Sequence, residues 1–210
     1  MFKNVFIVGV DAFVARMFHS YGFAVVDSLD NADLVCFTGG EDVDPSLYDC
    51  VKHSQTFSNH YRDDAEIKVV RECISKDIPM VGICRGGQLL NVLNGGKMYQ
   101  HVHQHTRDHY ATIDGVGIFV TSTHHQIMKP APEGVVVGIA HISPRREFVD
   151  EVGNISVDKT SEASPDIEVV HYPLTQCLCF QPHPEYHVES ECTKMFFSLI
   201  KKLLLSEGNS

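Results

Sequence analysis

Apolar positions in the first half of the chain alternate between two rhythms. An apolar run at 4–10 makes the opening stretch, 1–9, read as a first strand. Over 12–21 the apolar residues Phe13, Val14, Met17 and Phe18 fall at helical spacing and share one face. Gly22 follows, where a residue without a Cβ makes a left-handed cap least costly. Phe23–Val26 and Leu34–Phe37 are continuous apolar runs of strand length, the second leading into Thr38-Gly39-Gly40. Residues 41–61 are polar and read as loop, with Asp42 and Asp44 placed to cap a turn that starts at Pro45. Ala65, Val69, Val70 and Cys73 predict a helix over 62–76. The run 79–83 predicts a strand that breaks off at Cys84, and 85–93 a further helix. This alternation argues for an α/β fold with a parallel sheet covered on both faces.

The second half lacks the helical rhythm. Short β-like runs at 116–121, 135–140, 147–149, 167–170 and 178–180 are separated by turn residues. They predict mixed or antiparallel strands added to the same sheet. An amphipathic helix over 195–205 closes the pattern, followed by a polar tail at 206–210. No repeat, heptad or long low-complexity linker interrupts the chain, so 1–210 reads as a single domain.

Composition narrows this picture. The 210 residues are 43% hydrophobic and 21% charged, which suits a compact core without disulfide or metal staples. No apolar run is long enough to span a bilayer, and the N-terminus lacks the pattern of a signal peptide. Seven cysteines without framework spacing point to reduced thiols and a cytoplasmic setting. A net charge of -10 argues against a duplex nucleic-acid binder, which needs a basic footprint.

The candidate chemistry sits where strand gives way to helix. Cys84 lies between Gly82 and Gly86, and a sharp strand-to-helix turn needs residues without a Cβ close by. A side chain there stands where helix amides begin, a field that favours thiolate over thiol. Far along the chain, His183-Pro184-Glu185 offers a base and a carboxylate to orient it. Two further groups carry less. His101, His103 and His105 fall at period two, so an extended segment would present all three on one face. That is a metal patch or a solvated strand, and no acidic or thiolate residue adjoins them in sequence. Cys177 and Cys179 fit a buried strand face better than a redox pair, which usually has two intervening residues.

Five blocks in order resemble the class I glutamine amidotransferase superfamily, most closely its γ-glutamyl hydrolase-like branch, peptidase family C26. They are residues 38–48, 62–66, 78–92, 123–126 (Thr-His-His-Gln) and 181–185 (Gln-Pro-His-Pro-Glu). The resemblance implies a three-layer, flavodoxin-like fold with a mostly parallel central sheet and a smaller antiparallel β portion. It implies a triad in which Cys84 attacks a side-chain amide carbon, His183 shuttles the proton and Glu185 fixes the imidazole. Backbone amides of Gly40 and Arg85 would hold the oxyanion. Gln88 would reach the α-amino or α-carboxylate end of a γ-glutamyl group, while the 39–42 loop, including Gly39, and His124 and His125 would wall the pocket. Arg62 and Asp63 read as structural, an ion pair orienting their helix toward the cleft. The expected reaction is hydrolysis of a γ-glutamyl amide through a γ-glutamyl thioester, with no metal or organic cofactor.

The chain departs from the family pattern at Gly87, where a bulkier residue is usual. It departs again between 96 and 116, which is histidine-rich instead of acidic, and at Gln181-Pro182, where aromatic or histidine residues are common. These changes leave the leaving amine open. Two rival expectations remain: a glutaminase subunit supplying ammonia to a separate synthetase, and a non-catalytic regulatory relative of the fold. The oligomeric state, a homodimer included, is open as well.

Overall fold

A computed structural model describes residues 3–205. The expected tail at 206–210 and the first two residues of the opening strand lie outside the described residues. The first half follows the predicted alternation: β1 (Lys3–Val8), α1 (Ala12–Ser20), β2 (Phe23–Val26), β3 (Leu34–Phe37), α2 (His60–Ser75), β4 (Met80–Ile83) and α3 (Arg85–Leu93). Asp11 caps α1 by accepting the Phe13 and Val14 amides at 2.9 and 3.0 Å. Helix α2 begins at His60, two residues before the expected start, because the Asn59 side chain caps it. Within the 41–61 loop, Asp44 accepts the Ser46 amide at 3.0 Å and starts a short 3-10 turn at Pro45, as its position suggested.

The second half holds more strands than the pattern predicts. They are β5 (Lys97–Tyr99), β6 (His101–Val102), β7 (His109–Ile113), β8 (Val116–Val120), β9 (Ile127–Lys129), β10 (Val135–Ala140), β11 (Arg146–Val149), β12 (Ile155–Asp158), β13 (Asp166–Tyr172) and β14 (Cys177–Phe180). The chain then forms α4 (Glu191–Leu199), which begins four residues before the expected start because Ser190 caps it, accepting the Thr193 amide at 3.2 Å. It continues as a π-helical turn over Ile200–Leu204.

Eleven strands form one sheet, whose main path runs β2-β1-β3-β4-β14-β13-β10-β7-β8. From β2 to β14 neighbours are parallel, and from β14 onward they are antiparallel. Strands β12, β11 and β6 form a separate antiparallel sheet. One face of the main sheet packs on α1 and α4, where Phe18 meets Phe196 and Phe197 edge to face. The other face packs on α2 and α3 through Val70, Cys73, Leu89 and Leu90. This is the three-layer, flavodoxin-like arrangement. All four residues of β3, of β4 and of β14 are buried, as expected for parallel strands covered on both sides. Cys177 and Cys179 belong to that buried strand as free thiols.

Register sets the site. Phe37 lies beside Gly82, and Ile83 beside Phe180. The carboxyl ends of β3, β4 and β14 are therefore level, and the segments after them emerge side by side. Those segments begin at Thr38, Cys84 and Gln181. Ligands of open parallel sheets bind at such carboxyl ends.

Candidate active site

Cys84 occupies a strained backbone conformation, φ 50° and ψ −112°, between β4 and α3. Its neighbours show why the turn is confined to this sequence. A Cβ on Gly82 would lie 2.2 Å from the Gly86 carbonyl carbon, and one on Gly86 would lie 2.2 Å from the Phe37 carbonyl oxygen. The turn is pinned by the Cys84 amide, which donates to Phe180 O at 2.8 Å, and by Cys84 O, which accepts from the Gln88 amide at 3.0 Å. Gly87 has its own reason: a Cβ there would stand 2.9 Å from the Phe180 nitrogen, so α3 rides too close to β14 for the usual bulkier residue.

His183 comes to the same place from the end of β14. A Cβ on Gly39 would lie 3.2 Å from His183 Cε1 and 3.8 Å from Cys84 Cβ, so imidazole and nucleophile candidate flank one point on the Gly39 loop. His183 Nδ1 lies 2.6 Å from Glu185 Oε1, and Nε2 lies 2.9 Å from Thr123 Oγ1. Tyr186 stacks on the imidazole, with ring centroids 4.7 Å apart. Burial opposes a charge on His183, but the neighbouring Cys84 sulfur and the Glu185 carboxylate outweigh that and lift it to about 11. The imidazole is thus held as the cation beside the sulfur. Thr123 is a site residue that sequence reasoning missed; its only signal was its place at the head of Thr-His-His-Gln.

A chain of buried ions braces the loops around Cys84. Arg85 pairs through its guanidinium with Asp63 and Glu66. Glu66 also accepts from Arg62 Nε at 2.8 Å, and Arg62 Nη2 donates to Gly39 O at 2.8 Å and to Thr38 O at 3.3 Å. Glu66 therefore ties the residue after the cysteine to the glycine loop after β3. Across a trans peptide the carbonyl and amide point oppositely, so fixing Gly39 O on Arg62 turns the Gly40 N–H to the other side. Gly40 has φ 148°, and a Cβ on it would collide with Arg62 Nη1. Arg62 and Asp63 were expected to pair with each other; instead each serves a different arginine–carboxylate contact. Only the fold brings Arg85 between Asp63 and Glu66.

Cys84, His183, Gly40, Gln88 and His125 line a cavity of about 380 Å³, with Phe57 and Asp42 at its wall. Gln88 is 2% exposed, and its Nε2 donates to Gln181 Oε1 at 3.2 Å and to Gln126 O at 3.3 Å. The unusual Gln181 is thereby used as a brace for Gln88. His125 Nε2 stands 3.2 Å from Asp42 Oδ1. His124 also borders the cavity, but its ring nitrogens turn to Gln126 O, 2.8 Å away, and toward Glu168. The period-two histidines part company. Strand β6 ends at Val102, and Gln104 takes φ 74°, so His105 swings into the interior while His103 stays exposed. His101 remains with His103 and His125, at ring separations of 5.0 and 5.9 Å.

Comparison with known proteins places this arrangement. Residues 22–163 match the family described as Peptidase C26, a stretch that ends before His183. A Mycobacterium tuberculosis protein provisionally named a glutamine amidotransferase is 29% identical over 179 residues, covering 82% of this chain and 56% of that protein. NtpR of Enterococcus hirae is 30% identical over 147 residues, covering 53% of this chain and 61% of NtpR. The chain thus spans little more than half the length of these relatives. A Thermotoga maritima glutamine amidotransferase superposes with a TM-score of 0.59 at 15% identity, over 96% of this chain and 84% of that one. PurLQS from the same organism superposes with a TM-score of 0.56 at 16% identity, over 97% and 100%. At those identities the likeness is one of fold. Family match and fold together assign the chain: it belongs to the peptidase C26 family of the class I glutamine amidotransferase superfamily.

Proposed function

We propose that the protein hydrolyses a γ-glutamyl amide through a γ-glutamyl thioester on Cys84. The observation that carries this reading is the meeting of Cys84 with a doubly bonded, cationic His183 in one cavity, at the level carboxyl ends of β4 and β14. The sulfur adds to the γ-carbonyl carbon, and the carbonyl electron pair moves to oxygen. The amides of Gly40 and Arg85 receive that oxyanion, an effect worth about a hundredfold or more in rate for each donor. His183 gives its Nε2 proton to the leaving nitrogen, the C–N bond breaks, and the amine departs. Water then attacks the thioester, giving its proton to His183, and cleavage of C–S releases glutamate and regenerates the ion pair. Glu185 holds the imidazole in the tautomer this requires.

Gln88 suits the α-amino end of the substrate. Its Nε2 is committed to protein acceptors, and among the described residues no donor reaches its Oε1. An acceptor without a donor fits an ammonium group. Asp42 and Glu41 at the wall add negative charge in the same sense.

The test is glutamate release by the isolated chain from glutamine and from a panel of γ-glutamyl amines, with Cys84→Ala as control. Steady turnover of γ-glutamyl amines, abolished in the variant, is the expected result. Glutamine hydrolysis that appears only with an added synthetase would move the reading to ammonia supply. Failure of every γ-glutamyl compound, with no acyl group trapped by hydroxylamine, would leave the regulatory reading.

A further inference from the structure

We propose that His105, His109 and Glu168, with His124 closing the shell, form a buried site for one divalent transition-metal ion, zinc being the first to test. The four side chains come from separate parts of the fold. His105 lies in the loop after β6, His109 opens β7, His124 lies between β8 and β9, and Glu168 is in β13. They are 0%, 8%, 4% and 0% exposed, respectively. Their inner atoms converge. His105 Nδ1 and His109 Nε2 each stand 3.2 Å from Glu168 Oε1, and His124 Nε2 stands 3.9 Å from Oε2. One ligand atom from each of His105, His109 and Glu168 lies within 4.8 Å of the others. Four ligands about 2.0–2.1 Å from a tetrahedral zinc would stand about 3.3 Å apart.

The outer nitrogens make the stronger case. His109 Nδ1 lies 3.0 Å from Arg107 O, and His124 Nδ1 2.8 Å from Gln126 O. A carbonyl only accepts, so both Nδ1 atoms carry protons, and in the neutral ring both Nε2 atoms present lone pairs. His105 Nε2 lies 3.0 Å from Asp166 Oδ2, which also accepts the Ser143 amide at 2.9 Å. His109 and His124 thus have their outer nitrogens fixed on carbonyls, His105 has its outer nitrogen beside a carboxylate, and all three aim an inner nitrogen at Glu168. Metal-binding histidines are held in this way, because the outer bond sets tautomer and ring direction. Among the described residues, both ring nitrogens of His105, His124 Nε2 and Glu168 Oε2 are buried without a hydrogen-bond partner. Lone pairs facing a carboxylate repel unless something positive lies between them. Extra protons on His105 and His109 would answer Oε1 and still leave His124 facing Oε2 bare; one cation answers all four.

The ion would be structural. The 121–126 loop that carries His124 inward also carries Thr123 to His183, and Glu168 O accepts the Gln181 amide at 2.9 Å. It would brace two loops of the cavity without meeting the substrate, so the proposal does not depend on the thioester chemistry.

The test is metal analysis of untagged protein, as purified and after unfolding in chelator and refolding with zinc. About one transition-metal ion per chain is expected, retained by His103→Ala at the exposed surface and lost in His109→Ala and Glu168→Gln. Zinc should raise the melting temperature of the native sequence by about 5–10 °C at a hundredfold excess over Kd, and leave Glu168→Gln unmoved. Should His109→Ala not fold, cobalt added to the native sequence and to the near-isosteric Glu168→Gln decides. Four-coordinate visible bands belong to the first alone. Less than a tenth of an equivalent in both preparations, or metal that follows His103 instead of His109 and Glu168, would overturn the proposal.

Discussion

His183 is bonded through both ring nitrogens, and its two sides do different things. Nδ1 is fixed by Glu185 at 2.6 Å, while Nε2 has the Thr123 hydroxyl at 2.9 Å, and Cys84 lines the same cavity. The native charge on His183, held up to about 11 against an ordinary value of 6.5, links protonation to folding. A raised folded value contributes stability that is complete below about pH 6.5 and is lost as pH rises through about 11. A nitrogen-15 titration of His183 should accordingly find the imidazolium persisting above pH 8, and Cys84→Ala should bring its midpoint down. An unchanged midpoint in the variant would show that the sulfur is not its partner. Thr123→Val should lower kcat about tenfold with little change in KM, because the hydroxyl aligns the imidazole without reaching substrate; an equal loss through KM would contradict this. At this scale the sequence is readable only where partners are close in the chain. His183 and Glu185 are two apart, and Gly82, Cys84 and Gly86 share one turn. Thr123 and Glu168 meet their partners only through folding, and Glu66 meets Arg85 in the same way, although its pairing with Arg62 lies one helical turn away.

Among the elements, the β4–α3 elbow depends most on its exact residues. Gly82→Ala would force its Cβ against the Gly86 carbonyl carbon 2.2 Å away. A cost of about 3 kcal/mol is expected, seen as a melting temperature lower by about 6–12 °C. A variant that melts within a degree of the native sequence would refute the close strand–helix contact. Glu66→Gln removes the carboxylate shared by Arg62 and Arg85 and leaves the buried Arg85 and the partly buried Arg62 under-paired. Destabilisation of about 3–5 kcal/mol should show in denaturant unfolding, together with a fall in kcat as the Gly39 loop and Arg85 loosen. Elements whose character is uniform were legible: the wholly buried strands β3, β4 and β14, and the one-sided helix α1. Strands β5, β6 and β9 have two or three residues each, too few for a period to register. Strand β12 is exposed throughout and has no apolar face to betray it.

For the whole molecule, the register of β3, β4 and β14 converts distant segments into one site, and those strands are also the most enclosed part of the sheet. Hydrogen exchange should therefore find the amides of β4 and β14 slowest and those of the exposed β12 fastest; comparable rates would deny that the site rests on the stable core. Within the described residues, no helix is long and apolar enough to cross a membrane. The alternation of strand and helix was enough to predict the parallel half. The antiparallel extension was legible as short strands, but its order was not, because antiparallel partners are chosen by turns and side-chain pairing over long separations. The central claim is that one sulfur attacks a glutamine-like amide. Mass spectrometry after incubation with a glutamine-derived chloroketone addresses it most directly. One adduct per chain on Cys84, suppressed by excess γ-glutamyl substrate, is the result predicted; labelling of another of the cysteines, or none, would contradict it.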